Sequence, residues 1–128
     1  MKKKYIAIGL ILILLGCILL LEINKSNEID FDKITNFEWD TMYVFTPYSN
    51  PKDILEKDNI STYNSSFIIE NSDTINMIGF VKSNKLVGFV ELPQIYGGVD
   101  LTNVIKFSKE ETKFSILQDK KTILFKKN

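Results

Sequence analysis

The chain is predicted to be an α+β protein: an N-terminal membrane helix followed by a small, mainly antiparallel β-sheet domain with one short helix packed on it. Three observations predict this. Lys2, Lys3 and Lys4 precede an unbroken apolar run over residues 5–21. From residue 38 onward, six or seven short β-branched or aromatic segments are separated by turn residues, as hairpin-linked strands are. Ser49-Asn50-Pro51 carries the chemistry of a helix start. The organisation that follows is a signal anchor or lipoprotein signal peptide over 1–23, a polar tether over 24–30 and an extracytoplasmic domain over 31–128.

Residues 5–21 contain no charge, and as a helix they rise about 26 Å. With Glu22 and Ile23 at the rim, that is the short end of what spans a hydrocarbon core of ~30 Å. The lysines then stay cytoplasmic and the rest of the chain is exported. Two versions are open. One is an uncleaved anchor, with Cys17 an apolar residue inside the helix. The other is lipidation at Cys17, because Leu14-Leu15-Gly16-Cys17 resembles a bacterial lipobox. Ile18-Leu19-Leu20-Leu21 continues the apolar run past the cysteine and favours the first. Gly9 and Gly16 share one helix face, as ordinary membrane-helix composition or as a packing stripe.

The polar residues 24–30 read as a tether. Phe31, Ile34 and Phe37 recur at the spacing of a helical turn. Residues 38–45 alternate, with Trp39, Thr41, Tyr43 and Phe45 on one face, and read as a strand ended by Pro47. Asn50 or Ser49 caps a helix of about two turns, with Pro51 in its first turn and Asp53 complementing the helix dipole. It ends at Asp58-Asn59. Residues 60–66 form a polar loop and 67–69 a short strand. Residues 75–81 and 86–92 form the clearest hairpin, turning through Ser83-Asn84. Gly79 and Gly88 within it mark a bulge or a close backbone approach. Residues 94–99 are a loop, 104–107 a strand and 108–112 a charged turn. A last hairpin pairs 113–118 with 121–126 across Asp119-Lys120. The helix is expected on one face of this sheet.

Composition excludes several chemistries. All 16 basic residues are lysine and there is no histidine, so the commonest general base and metal ligand are missing. The single cysteine lies in the anchor, leaving the exported part without a disulfide, a thiol nucleophile or a Cys/His zinc site. From residue 24 onward 13 lysines face 15 acidic residues, a net charge of −2 with no nucleic-acid footprint. No phosphate-binding glycine loop and no calcium-loop spacing occurs, and neither cofactor nor metal is expected.

The most distinctive stretch is Phe37-Glu38-Trp39-Asp40-Thr41-Met42-Tyr43-Val44-Phe45-Thr46-Pro47-Tyr48. With the later Val90-Glu91-Leu92-Pro93, it resembles a group of small exported or membrane-anchored proteins of low-GC Gram-positive bacteria. The resemblance covers about residues 37–93. It implies location outside the cytoplasm and lends no catalytic residue. Trp39, Tyr43 and Phe45 serve either as hydrophobic core or as an aromatic binding surface, with Asp40, Tyr48 and Glu91 supplying polar contacts. Asp40 and Glu91 are also the carboxylate pair that an envelope hydrolase would use, provided they share a cleft. The expected function is a non-enzymatic, membrane-tethered module that binds an envelope protein or peptide. An immunity-type protein and a carboxylate-dependent hydrolase are the alternatives.

Overall fold

The computed structural model describes residues 27–62, 67–93, 98–99, 105–117 and 122–125. The anchor, with Cys17, Gly9 and Gly16, lies outside them, as does the Asp119-Lys120 turn. Among the described residues no helix is long and apolar enough to cross a membrane.

The hairpin of β3 (Ile75–Lys82) and β4 (Lys85–Pro93) is the centre of the structure. Ser83 and Asn84 adopt φ of 51° and 62°, the left-handed pair that a type I′ turn requires. Neither residue is glycine, and neighbours hold the turn from outside. The Ser83 N–H donates to Asp40 Oδ2 at 3.1 Å, and the Ser61 N–H donates to the Asn84 carbonyl at 2.9 Å. Phe80 pairs with Gly88 and Val81 with Leu86, so Val87 is the extra residue of a β-bulge. Gly88 lies beside this bulge because Phe37 fills the space a side chain would need. A Cβ there would stand 3.0 Å from the Phe37 ring.

β2 (Thr41–Phe45) pairs antiparallel with β3 and with β6 (Ile105–Ser108), giving a central sheet of order β4-β3-β2-β6. A second sheet contains β1 (Glu28–Asp30), β7 (Lys113–Leu117), β8 (Thr122–Leu124) and β5 (Gly98–Val99), in the order β1-β7-β8-β5. All its pairings are antiparallel except that of β5 with β8.

Strand alternation sends each face of the central sheet to a different core. Met42, Val44, Ile78, Phe80, Val90 and Phe107 meet Ile29, Phe114, Ile116 and Ile123 of the second sheet. Tyr43, Phe45, Met77, Val81 and Leu86 meet Leu55, Ile60, Phe67 and Ile69 on the other side. The fold therefore has three layers: sheet, sheet, and a layer of helix and irregular chain. Phe31, Phe107, Phe114 and Phe125 form an aromatic knot between the sheets, with centroid separations from 4.6 Å (Phe114–Phe125) to 6.0 Å (Phe31–Phe125).

The helical expectations hold. α1 (Phe31–Ile34) is one short turn, and α2 (Pro51–Lys57) starts where its cap predicts. Asn50 Oδ1 accepts from the Asp53 N–H at 3.2 Å. At the other end Asn59 is left-handed at φ 60°. The Asn59 and Ile60 N–H groups return to the Glu56 and Leu55 carbonyls at 3.0 and 2.9 Å, a Schellman ending.

Five expectations need correction. Residues 98–99, read as loop, form β5 and pair with β8. A second sheet lies behind the expected one. The residues 28–30, read as tether, are its edge strand, because Ile29 is fully buried although its neighbours are polar. The strand read over 38–45 begins only at Thr41, after a bend at Asp40. The residues read as a strand over 67–69 instead lead into a 3₁₀ turn at Ile68–Asn71. There the Ile69 N–H donates to Glu91 Oε2 and its carbonyl accepts from Tyr48, so both groups are withdrawn from any strand ladder.

Candidate functional site

The aromatic stretch divides between the two cores. Trp39 is buried between the sheets against Phe80, with ring centroids 5.2 Å apart. Its Nε1–H donates to Thr35 Oγ1 at 2.9 Å, and that hydroxyl donates to the Phe31 carbonyl at 2.8 Å. Lys109 Nζ lies 5.7 Å from the Trp39 ring centre and 3.6 Å from Asp32. Tyr43 points the opposite way, stacks on Phe45 at 5.9 Å and is buried under the helix layer. The expected common face fails because the bend at Asp40 breaks the alternation between 39 and 43. Trp39 and Tyr43 therefore do not form an exposed aromatic surface.

The Tyr43 hydroxyl reaches the rim of its core and donates to Asp58 Oδ2 at 2.6 Å. Burial, reinforced by that hydrogen bond, raises the phenol well above its ordinary pKa. Lys106 Nζ lies 5.9 Å from the same ring centre. The sequence pattern pointed to Tyr43 and missed Asp58, which follows the helix and reaches Tyr43 only through the Schellman ending.

Asp40 and Glu91 both receive backbone N–H groups. Asp40 holds the β3–β4 turn through Ser83, and its other oxygen accepts from the Thr41 hydroxyl at 3.1 Å. Glu91 fixes the 3₁₀ turn through Ile69 at 3.0 Å. Glu91 is opposite Met77 and hence level with Phe45, five residues from Asp40. That is roughly 17 Å along the strand direction, beyond the separation of a shared carboxylate pair. Beside Asp40, the exposed Glu38 pairs with Lys82 at 2.8 Å. The hydrogen bond and charge of Lys82 lower the Glu38 carboxyl, and Glu38 correspondingly raises the ammonium. Among the described residues no group of three potential ligands could hold a metal ion.

Tyr48 differs from the other five. It is 65 % exposed, the one large hydrophobic side chain so exposed among the described residues. Its φ is 63°. The turn Thr46-Pro47-Tyr48-Ser49 closes through the Ser49 N–H to the Thr46 carbonyl at 3.2 Å. Proline followed by positive φ marks a type II turn, whose third residue is normally glycine or asparagine. The Tyr48 N–H is held by the Ile69 and Ser72 carbonyls at 3.1 and 3.2 Å. An aromatic ring thus projects outward from a backbone conformation that disfavours it by about 1–2 kcal/mol.

No family model, curated protein or solved structure matches the chain. Of the six residues expected to form a surface, Trp39, Tyr43 and Phe45 are core, Asp40 and Glu91 hold turns and Tyr48 projects into solvent. Such an arrangement suits contact with another surface through Tyr48.

Proposed function

We propose that this chain is a membrane-tethered, non-enzymatic binding module on the extracytoplasmic side, which engages an envelope component through the turn carrying Tyr48. The observation that carries the placement is the pattern of Lys2–Lys4 followed by the apolar run 5–21. The choice of contact is supported by Tyr48, an exposed aromatic in an unfavourable backbone conformation. Local strain of this kind concentrates at functional positions. Aromatic side chains that are both exposed and held in one place lose little entropy on binding.

The test uses the full chain in its membrane. It should resist alkaline extraction, and its C-terminal part should be digested by protease added from outside. Capture from those membranes should recover a specific component with the wild type and lose it with Tyr48→Ser. A chain that washes off the membrane would sink the placement. Capture that is indifferent to Tyr48 would remove the contact assignment. The mass of the mature chain decides between the two anchors: loss of residues 1–16 with added acyl chains assigns lipidation to Cys17.

A further inference from the structure

We infer that Glu91 is the positioning residue of the Tyr48 turn: its carboxylate, acting through Ile69, holds the tyrosine in its left-handed conformation at the surface. The inference rests on the reading of Tyr48 as the contact residue and adds the group that keeps it presented.

The turn does not hold itself. Pro47 pre-sets the second position of Thr46-Pro47-Tyr48-Ser49, but a φ of 63° at the third position works against a tyrosine. Inside the turn, the Ser49 N–H reaches the Thr46 carbonyl at 3.2 Å, and the Thr46 and Ser49 hydroxyls stand 3.1 Å apart. Such bonds contribute about as much as the backbone strain removes. A conformation of this kind persists only where its surroundings over-determine it. Here the surroundings are the Ile69 and Ser72 carbonyls, which share the Tyr48 N–H at 3.1 and 3.2 Å.

Both carbonyls belong to the 3₁₀ turn Ile68–Asn71 and its C-terminal cap, so whatever orients that turn orients Tyr48. Apolar contacts dock the turn. Phe67 packs edge-on against Phe89 of β4, with centroids 5.0 Å apart, and the Ile69 side chain is fully buried. Apolar burial is non-directional and does not aim a carbonyl. Phe67, which opens the turn, offers no side-chain cap. Glu91 supplies one from another strand. Its Oε2 accepts the Ile69 N–H at 3.0 Å, at the second position of the turn, where an N-cap side chain would act. A hydrogen bond to an ionised acceptor is roughly twice as strong as a neutral one.

The place of Glu91 in the sheet makes this hold possible. Glu91 is opposite Met77 and Met77 is opposite Phe45, so the three form one row across β4, β3 and β2. Phe45 ends β2, and the chain enters the Tyr48 turn directly after it. The row, the Glu91–Ile69 bond and the Ile69–Tyr48 bond therefore close a ring that begins and ends at the entrance to the turn. Met77 and Phe45 are fully buried in the helix-side core. A carboxylate in line with them forgoes the apolar burial that a leucine would gain. The bond to Ile69 explains why a carboxylate stands there.

The experiment measures amide hydrogen exchange by nuclear magnetic resonance on the full chain in detergent micelles, together with capture from membranes as above. Glu91→Ala should speed exchange of the Ile69 and Tyr48 amides about tenfold relative to the amides of β2 and β3, because the apolar contacts keep the turn docked while its carbonyl loses its aim. Glu91→Gln keeps a weaker, neutral acceptor and should speed both amides roughly threefold. An unchanged Tyr48 amide in Glu91→Ala, acceleration spread evenly over the sheet, or equal effects of the two variants overturns the inference. Should Glu91→Ala not fold, Glu91→Gln decides by itself, and a wild-type rate at Tyr48 in that variant overturns the inference. In capture, Glu91→Ala should weaken the Tyr48-dependent signal, and the double variant with Tyr48→Ser should capture no less than Tyr48→Ser alone. A further loss in the double variant would place Glu91 in the contact itself and overturn its positioning role. Capture indifferent to Tyr48→Ser, with both amides accelerated, removes the contact reading and leaves the hold of Glu91 on the turn established.

Discussion

At position 48 stability and contact pull in opposite directions. Glycine accepts φ 63° without steric cost, whereas tyrosine does not. Tyr48→Gly should therefore stabilise the domain by about 1 kcal/mol in urea unfolding while abolishing the Tyr48-dependent contact. Loss of stability in that variant would mean that the ring contributes to the fold and would weaken its assignment as a contact. Tyr43 presents a different case. Its folded pKa is raised, first by burial and then by the bond to Asp58. The stabilisation is present below the unfolded phenol value of about 10 and is lost as pH rises toward the folded value. The stability difference between wild type and Tyr43→Phe should shrink with pH above about 10, as measured by urea unfolding at a series of alkaline pH values. A difference independent of pH would show that the phenol is not held as its bond to Asp58 implies. The sequence brought both tyrosines forward. It could not separate them, because their opposite fates depend on the bend at Asp40 and on the turn after Pro47.

At the level of elements, legibility followed the strength of local chemistry. α2 and the β3–β4 hairpin were read close to their observed bounds, since Asn50-Pro51 and the Ser83-Asn84 turn act through neighbouring residues. β1 was missed because its sequence, Glu28-Ile29-Asp30, presents one apolar residue, and only pairing with β7 gives that residue a core. Ile29→Ala should cost about 2–4 kcal/mol, far more than a tether residue would. A melting temperature unchanged by this substitution would return 28–30 to the tether. The apolar triple at 67–69 resembled a strand for the converse reason. Burial was legible in its composition, but the hydrogen-bond partners, Glu91 and Tyr48, lie far away in sequence.

For the whole molecule, Phe80 is where the layers meet. Its ring stands 6.2 Å from Phe31, 5.5 Å from Phe37 and 5.2 Å from Trp39, so the first turn, the approach to β2 and the central sheet converge on it. Phe80→Ala should cost about 3–5 kcal/mol. Trp39 fluorescence and far-ultraviolet circular dichroism should still report one coincident transition, because the two sheets share a single core. Separate transitions would show that the sheets are stable independently.

The sequence by itself determined the anchor pattern, the mainly antiparallel β character, the short capped helix and the central hairpin. Each of these depends on residues close together in the chain, where periodicity, capping and turn preference act. Tertiary structure alone decided that there are two sheets, that Trp39 and Tyr43 enter different cores, that Asp40 and Glu91 stand apart, and that Tyr48 remains outside. Those outcomes depend on which distant segments pair and pack, and a single aromatic residue carries no local signal of the face it will occupy.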